Sequence, residues 1–358
     1  MLAALDLVGL RLGASTRGSR QPRMKPVSLL AGATGIVLIG VLVVHFGAAA
    51  VGRSLLAVGW FGFAAVCLIQ LALIAVMGIA WWILLPGTNP WCAIWARLVR
   101  DSASEVLPLS QVGGYVAGAR AIAIAGIPGS TAAASTIVDV TLEFFAQIAY
   151  TAIALSWLAH LEPQVRFVVS AATGIAVAGS LAAGLLAAQR RGFGLLDRFA
   201  GALGRGWAER TAAGAAALHA GIAGIYARRG AVWTGVALHL ACWIASAAEI
   251  WLALRFIGAP LGFGAVLVIE SLLYAIRSVA FAVPNAVGVQ EGAYVLLGAS
   301  FGLTPEIGLA LSLLKRARDA VIGLPALGAW ELIESGRLYG RAAGAQPPRR
   351  LETKPRSQ

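Results

Sequence analysis

The side chains with the clearest capacity for chemistry form a line along one predicted helix. Ser135, Asp139, Glu143 and Gln147 recur at every fourth residue of a largely apolar run, and this spacing places them on one helix face. Two carboxylates four residues apart repel each other unless a cation or a proton lies between them. This line, the acidic stripe, therefore faces either a partner helix that supplies arginine or a wet cavity that admits a substrate.

The cations that could neutralise the acidic stripe lie in a later apolar run, SLLKRARDAVIGLPAL, which contains Lys315, Arg316, Arg318 and Asp319. Consecutive residues on a helix diverge by about 100°, so these charges cannot all point the same way. Lys315 and Asp319 share a face and predict a local pair. Arg316 and Arg318 are then left for the acidic stripe or for an anionic headgroup.

Two further apolar runs also carry polar lines. Glu270, Tyr274 and Arg277 share one face of a predicted helix, and the two charged members, two turns apart, are expected to pair with other helices. The preceding run carries a similar line, formed by His239, Cys242, Ser246 and Glu249. A single histidine on such a line predicts a helix–helix contact more strongly than a proton shuttle.

Two runs rich in glycine and proline predict broken backbone. They are LPLSQVGGY at 107–115, which leads to Arg120, and PNAVGVQEG at 284–292, which contains Asn285, Gln290 and Glu291. Within a membrane, polar loops of this kind are tolerated only where they are buried in protein or line a cavity. The offset from Pro108 to Pro284 and that from Gly126 to Gly302 are both 176 residues, which predicts an internal repeat of the sort found in transporters.

The composition determines which elements position these side chains. Of 358 residues, 59% are apolar and only 12% charged, about half the charged fraction of soluble domains. The chain is therefore predicted to be an all-α, polytopic membrane helix bundle. The three cysteines and four histidines lack metal-ligand spacing and no nucleotide-binding loop is present, so we expect neither a metal nor another cofactor.

A membrane span needs about 20 apolar residues. Candidate spans are 27–50, 56–85, 131–159, 165–188, 231–257, 262–282 and 306–333, with 286–302 as a shorter eighth crossing. The run that begins at Trp91 is amphipathic, which predicts a helix lying at the membrane interface, where Asp101 and Glu105 would be unremarkable.

The net charge of +12 is concentrated outside these spans, in residues 1–26, 189–230 and 337–358. By the positive-inside rule these segments, and so both termini, face the cytoplasm of a bacterial inner membrane. They lack the folded basic face of a nucleic-acid binder. The predicted organisation is a disordered basic extension (1–25), a transmembrane domain (26–335) and a disordered basic tail (336–358).

Two runs, Gln111–Gln147 and Pro284–Leu327, resemble the flippase-like transmembrane domain shared with lysylphosphatidylglycerol synthetases. Within that family they are most similar to the hopanoid-biosynthesis-associated branch. The resemblance implies movement of lipids between leaflets, or support of hopanoid transport. It carries over, as candidate positions without assigned steps, the residues Arg120, Asp139, Glu143, Gln290, Glu291, Arg316, Arg318 and Asp319. In the synthetases a soluble aminoacyl-transfer domain follows the membrane part. The present sequence ends shortly after its last span, so we do not carry the transfer activity over.

Our leading hypothesis is a non-enzymatic lipid translocase in which a polar cavity carries the headgroup while the apolar part stays in lipid. Glu270, Arg277 and Asn285 join the carried-over positions as candidate binding residues; no catalytic residue is assigned. The predicted partners are membrane lipids, with hopanoid-biosynthesis proteins as further candidates. A membrane enzyme or accessory subunit of lipid biosynthesis, a scaffold and an ion-coupled transporter are the alternatives. The translocase hypothesis expects the buried charges to converge on one water-accessible chamber, whereas separate dry pairs would count against it.

Overall fold

The computed structural model describes residues 48–106, 110–161, 205–280 and 283–344, together with isolated positions between 176 and 187. Within these residues the fold is entirely helical, which confirms the predicted class. The helices in chain order are α1 Ala48–Ala57, α2 Gly59–Ile83, α3 Pro90–Val106, α4 Ser110–Ile124, α5 Gly129–Leu161, α6 Arg205–Ala227, α7 Arg229–Ile257, α8 Phe263–Val279, α9 Val289–Ser300 and α10 Pro305–Gly344.

Three helices of the described residues are long and apolar enough to span a bilayer, over Gly59–Ile83, Gly129–Ala159 and Arg229–Ile257. They coincide with three of the predicted spans. The predicted extension 1–25, most of span 27–50 and most of span 165–188 fall outside the described residues, so eight crossings stays a prediction. Helix α10 continues to Gly344, past the domain boundary predicted at residue 335.

The order of elements repeats along the chain. In both α1–α5 and α6–α10 a long apolar helix is followed by a helix of 17 residues, a shorter helix and then a long helix. The shorter helices end near Gly126 and Gly302, whose φ angles of 99° and 84° are accessible to glycine at little cost. This order agrees with the repeat predicted from the 176-residue offset, and we call α1–α5 the first half and α6–α10 the second half.

The two halves pack across each other in matching pairs. Helix α3 packs against α10, and α8, which holds the corresponding place in the second half, packs against α5. Helices α2 and α7 also pack against each other. Each half therefore supplies the long helix against which a shorter helix of the other half lies.

The prediction of polar loops at 107–115 and 284–292 is wrong for most of the residues that the structure describes. Ser110 already belongs to α4 and Val289 to α9, and the rest of the second run is a 3₁₀ turn at Pro284–Ala286 followed by two turn residues. In α4 the glycines permit close packing instead of breaking the helix. A Cβ atom on Gly114 would lie 2.6 Å from the Arg100 carbonyl oxygen, and one on Gly118 would lie 2.8 Å from the Arg100 Cβ.

Helix α3 also differs from the expected interfacial helix. Its alanines pack into an apolar core with Trp81, and Arg97 and Arg100 on its polar face are each only 3% exposed. The amphipathic pattern correctly predicts a helix, but the polar face of that helix lies against acids of the bundle and not against water.

Gly114→Ala should destabilise the protein by about 1–3 kcal/mol, the usual cost of overpacking, because the added methyl group meets the backbone of α3. The matched control is Gly224→Ala on α6, where a Cβ atom meets nothing within 4 Å. Thermal unfolding in detergent should show a lower midpoint only for Gly114→Ala. Equal midpoints for the two variants would contradict the close packing of α3 and α4.

Candidate functional site

The acidic stripe lies on α5 and contacts several helices. Its carboxylates bind α3 and α7, whereas its ends are held by neutral partners. The Trp81 indole nitrogen donates to the Ser135 hydroxyl over 3.1 Å, and the Gln147 amide donates to Ser278 over 3.0 Å. The stripe is therefore a line of helix contacts along α5, which favours the structural interpretation left open by the sequence.

Two arginines of α3 neutralise the stripe carboxylates. Arg97 binds Glu143 with both terminal nitrogens, at 2.8 and 3.1 Å. Arg100 donates to Asp139 over 2.6 Å and also to Glu143. Because Arg97 and Arg100 are three residues apart on one helix face, they meet carboxylates four residues apart on another. Paired forks of this kind are among the strongest hydrogen bonds in proteins.

The same group includes an acid of α3 and a histidine of α7. Asp101 accepts from Arg97 over 2.8 Å, and His239 Nε2 lies 3.0 Å from Asp139 Oδ1. Both Asp139 and His239 are 0% exposed. We call this group the stripe cluster: Arg97, Arg100, Asp101, Asp139, Glu143 and His239.

The expectation that Arg316 or Arg318 would answer the acidic stripe is therefore wrong. The cations come instead from the segment at 91–106, whose amphipathic pattern predicts a helix with its polar face in water. The spacing of Arg97, Arg100, Asp101 and Glu105 on one face was the available signal. The prediction that His239 makes a helix–helix contact agrees with its bond to Asp139.

A second group of charges joins α7, α8 and α10. Lys315 donates to Glu270 over 2.8 Å, and the Tyr294 hydroxyl donates to the same carboxylate. Arg318 binds Glu249 and, over 2.7 Å, Asp319. The predicted Lys315–Asp319 pair is therefore wrong, since the structure pairs each of these two residues with a different one. We call this group the second-half cluster: Glu249, Glu270, Lys315, Arg318 and Asp319.

A third group of polar side chains joins the end of α3 to α8 and to the segment that follows α8. Arg277 at the end of α8 binds both oxygens of Glu105, near the end of α3, at 2.7 Å. This bond agrees with the expectation that Arg277 pairs with another helix. Asn285 donates from its side-chain amide to the Glu105 carbonyl, so α8 and the segment after it each bind the end of α3.

Side chains on α9 and α10 complete this group. Arg316 binds Glu291 at 2.5 Å and reaches the Asn285 carbonyl oxygen at 3.4 Å. Gln290 donates to Ser312, which donates to Glu291, each over 2.9 Å. We call the charged and amide members the junction cluster: Glu105, Arg277, Asn285, Glu291 and Arg316.

The backbone of the junction cluster adopts an uncommon conformation. Asn285 and Ala286 have φ angles of 51° and 45°; asparagine enters this left-handed region readily, whereas alanine does so at a cost of roughly 1–2 kcal/mol. The Asn285 Oδ1 atom is buried and has no hydrogen-bond partner among the described residues. Strained backbone next to an unsatisfied buried acceptor is typical of functional sites.

A small pocket opens beside the junction cluster. Its lining includes Ser104, Glu105 and Gln111 from the first half and Arg277 and Asn285 from the second. The free volume of about 10 Å³ admits roughly one water molecule. The expectation of one chamber shared by all buried charges is therefore wrong in this conformation: the described charges form separate clusters, and the junction cluster borders this pocket.

The remaining sequence-predicted candidate, Arg120, lies apart from the three clusters. It binds Glu334 of α10 at 2.6 Å, and both side chains are about one-fifth exposed or more. Within the described parts of the chain, no three His, Cys, Asp or Glu side chains are grouped to hold a metal ion.

Arg100→Ala should lower the free energy of unfolding by about 3–5 kcal/mol, because it removes the guanidinium that binds the fully buried Asp139 at 2.6 Å. Arg120→Ala, which breaks a partly exposed pair, should cost about 0–1 kcal/mol. Denaturant unfolding in detergent would measure both. A loss for Arg100→Ala no larger than for Arg120→Ala would contradict the buried network.

Comparison with known proteins gives one family. The model of the lysylphosphatidylglycerol synthase TM region matches residues 28–326, a range that contains α1–α9, the first part of α10 and all three clusters. No curated protein and no solved structure matches the chain. Since the family model covers most of the sequence, the chain is a membrane protein that belongs to the lysylphosphatidylglycerol synthase transmembrane-region family.

Proposed function

We propose that this protein moves polar-headed lipids between the two leaflets of a bacterial inner membrane. The observation that carries the proposal is the junction cluster, in which charged groups from both halves and strained backbone of the second half meet beside a pocket. Family membership supports a lipid-related membrane role, and the internal repeat supports a two-part machine whose halves move against each other.

The physical task of such a protein is to lower the cost of taking a headgroup through hydrocarbon. A charged group at the centre of a bilayer costs roughly 2.5–3.5 kcal/mol on insertion scales. The junction cluster holds a carboxylate and a guanidinium that bind each other at 2.7 Å. A headgroup with a phosphate can replace Glu105 as the partner of Arg277, and a headgroup with an amine can replace Arg277 as the partner of Glu105.

The separation of the described charges into clusters counts against a preformed headgroup chamber, and the pocket beside the junction cluster is too small for a headgroup in this conformation. Transport therefore requires the ends of α3 and α8 to separate, which breaks the Glu105–Arg277 pair and the Asn285 contact. The positive φ angles of Asn285 and Ala286 favour this opening, because strain stored in the closed junction is released when the segment moves.

We further propose that the lipid is a hopanoid or a phospholipid and that both termini face the cytoplasm. In this view hopanoid-biosynthesis proteins are candidate partners, and the chain carries lipid without covalent chemistry. The resemblance to the hopanoid-associated branch and the basic segments outside the apolar helices support these narrower assignments. Comparing the lipids of each leaflet in strains with and without the protein would identify the cargo.

Arg277→Gln and Glu105→Gln should each slow translocation of labelled phosphatidylglycerol in proteoliposomes by about tenfold or more, since a hydrogen bond to a charged group contributes roughly 1.5–3 kcal/mol. Arg255→Gln is the matched control, because Arg255 is exposed and stacks on Trp251. The rate is measured from the loss of label signal when a membrane-impermeant reductant is added.

A swapped variant, Glu105→Arg with Arg277→Glu, separates headgroup binding from a structural role. It keeps an ion pair between α3 and α8 but places the base on α3 and the acid on α8. We therefore expect it to fold and still to translocate slowly. Wild-type rates in Arg277→Gln, or in the swapped variant, would contradict a role in headgroup binding.

A further inference from the structure

The stripe cluster contains a histidine ring nitrogen that can bind a proton and that makes no hydrogen bond with the described residues. Because a carboxylate only accepts hydrogen bonds, a neutral His239 carries its hydrogen on Nε2 and donates it to Asp139 over 3.0 Å. The other ring nitrogen, Nδ1, is then an acceptor. It is buried and has no partner among the described residues.

The charge balance of the stripe cluster favours one more proton. Its ion pairs join two cations, Arg97 and Arg100, to three acids, Asp101, Asp139 and Glu143. With His239 neutral the sum is −1, and a proton on Nδ1 brings it to zero. An unbalanced buried charge is costly in a medium of low dielectric constant.

The other titratable groups around His239 do not change the charge sum of the stripe cluster. On α5 it faces Asp139 and Glu143, behind which lie the charged residues of α3; helix α2 contributes Cys67 as its titratable side chain. The other titratable side chains described on α7 and on the helices that pack against it are Arg53, Tyr150, His219, Tyr226, Arg229, Cys242, Glu249, Arg255, Glu270, Tyr274, Arg277, Glu306, Lys315, Arg316, Arg318, Asp319, Glu331 and Glu334. The buried charges in that set are ion-paired outside the stripe cluster.

Histidine distinguishes this cluster from the second-half cluster. The second-half cluster also has one more acid than it has cations, but its members are carboxylates, a lysine and an arginine. Histidine is the side chain that ordinarily exchanges a proton near neutral pH. His239 and Asp139 each lie ten residues after the start of their helices, about 15 Å along α7 and α5, so the position is deep in both.

One helix connects this proton position to the junction. Helix α3 carries Arg97 and Arg100 in the stripe cluster and, one turn beyond, Glu105 in the junction cluster. A change in the strength with which α5 and α7 hold Arg100 therefore acts on the helix whose end binds Arg277.

We propose that His239, held by Asp139, binds one proton in each transport cycle and that gain and loss of this proton drive the opening of the junction. This inference rests on the proposed function for its transport step, whereas the proton site itself is independent of the cargo. A cation formed on His239 repels Arg97 and Arg100 and competes with them for Asp139, so gain of the proton weakens the hold of α5 on α3; loss of the proton restores the full attraction between the α5 carboxylates and the α3 arginines.

The proton site is tested without any lipid assay. Replacing His45, His160 and His219 with glutamine leaves His239 as the single histidine, whose ring-nitrogen NMR signals report its protonation in lipid nanodiscs. We expect those signals to change from the neutral to the doubly protonated form as pH is lowered within the range in which the protein stays folded. A ring that stays neutral throughout this range would overturn the proposal.

Two variants in the same single-histidine background show whether the cluster charge controls that proton. Asp139→Asn removes the negative charge 3.0 Å from the ring, so the ratio of protonated to neutral His239 at a fixed pH should fall about tenfold or more. Glu249→Gln removes a buried acid of the second-half cluster from the same helix and should leave the ratio within about threefold of the parent. An unchanged ratio in Asp139→Asn would overturn the assignment.

The transport step is tested in proteoliposomes with and without a pH gradient. Wild-type protein should move labelled phosphatidylglycerol several-fold faster with the gradient, whereas His239→Gln, which keeps a donor towards Asp139, should show no gradient response. Lipid movement that ignores the gradient in wild type overturns coupling. A His239 that titrates in a protein that moves no lipid instead upholds the proton site and refutes the proposed cargo, so the two failures are distinguishable.

Discussion

The cost of placing charge in a medium of low dielectric constant governs this structure. Moving one ion out of water costs several kcal/mol even after relaxation, and only well-aligned partners offset that cost. The described buried charges meet the requirement through contacts between helices: α3 with α5, α7 and α8 with α10, and α3 with α8. Lipid offers apolar helices little hydrophobic reason to associate, so these ion pairs specify which helices are neighbours.

The internal repeat explains why the most unusual backbone lies where it does. Each half contributes a helix of 17 residues, and the turn at Pro284–Ala286 packs against the end of α3 and against α4. Polar backbone is tolerated in a membrane protein where protein surrounds it. At the junction cluster Glu105 supplies part of this surround: its carboxylate accepts from Arg277 and its backbone carbonyl accepts from the Asn285 side-chain amide.

Much of this architecture could be predicted from the sequence. Long apolar runs predicted the spanning helices α2, α5 and α7, and matching offsets between Pro108 and Pro284 predicted the repeat. The pairings could not be predicted, because helical periodicity identifies the face on which a side chain lies but not the helix that meets it. Lys315 illustrates the difficulty: Asp319 is the obvious local partner, yet Glu270, 45 residues earlier in sequence, lies 2.8 Å away. Arg97 and Arg100 were missed for a related reason, since an amphipathic segment looks the same whether its polar face meets water or buried acids.

The tight seating of α4 on α3 has a mechanical consequence. Gly114 and Gly118 hold α4 against the backbone and Cβ of Arg100, with no room for even a methyl group. Two helices in contact at successive turns resist bending between those points and move as one rigid unit. A tilt of α3 about its arginine pair therefore carries α4 with it and displaces Glu105, whose carboxylate binds Arg277 of the second half.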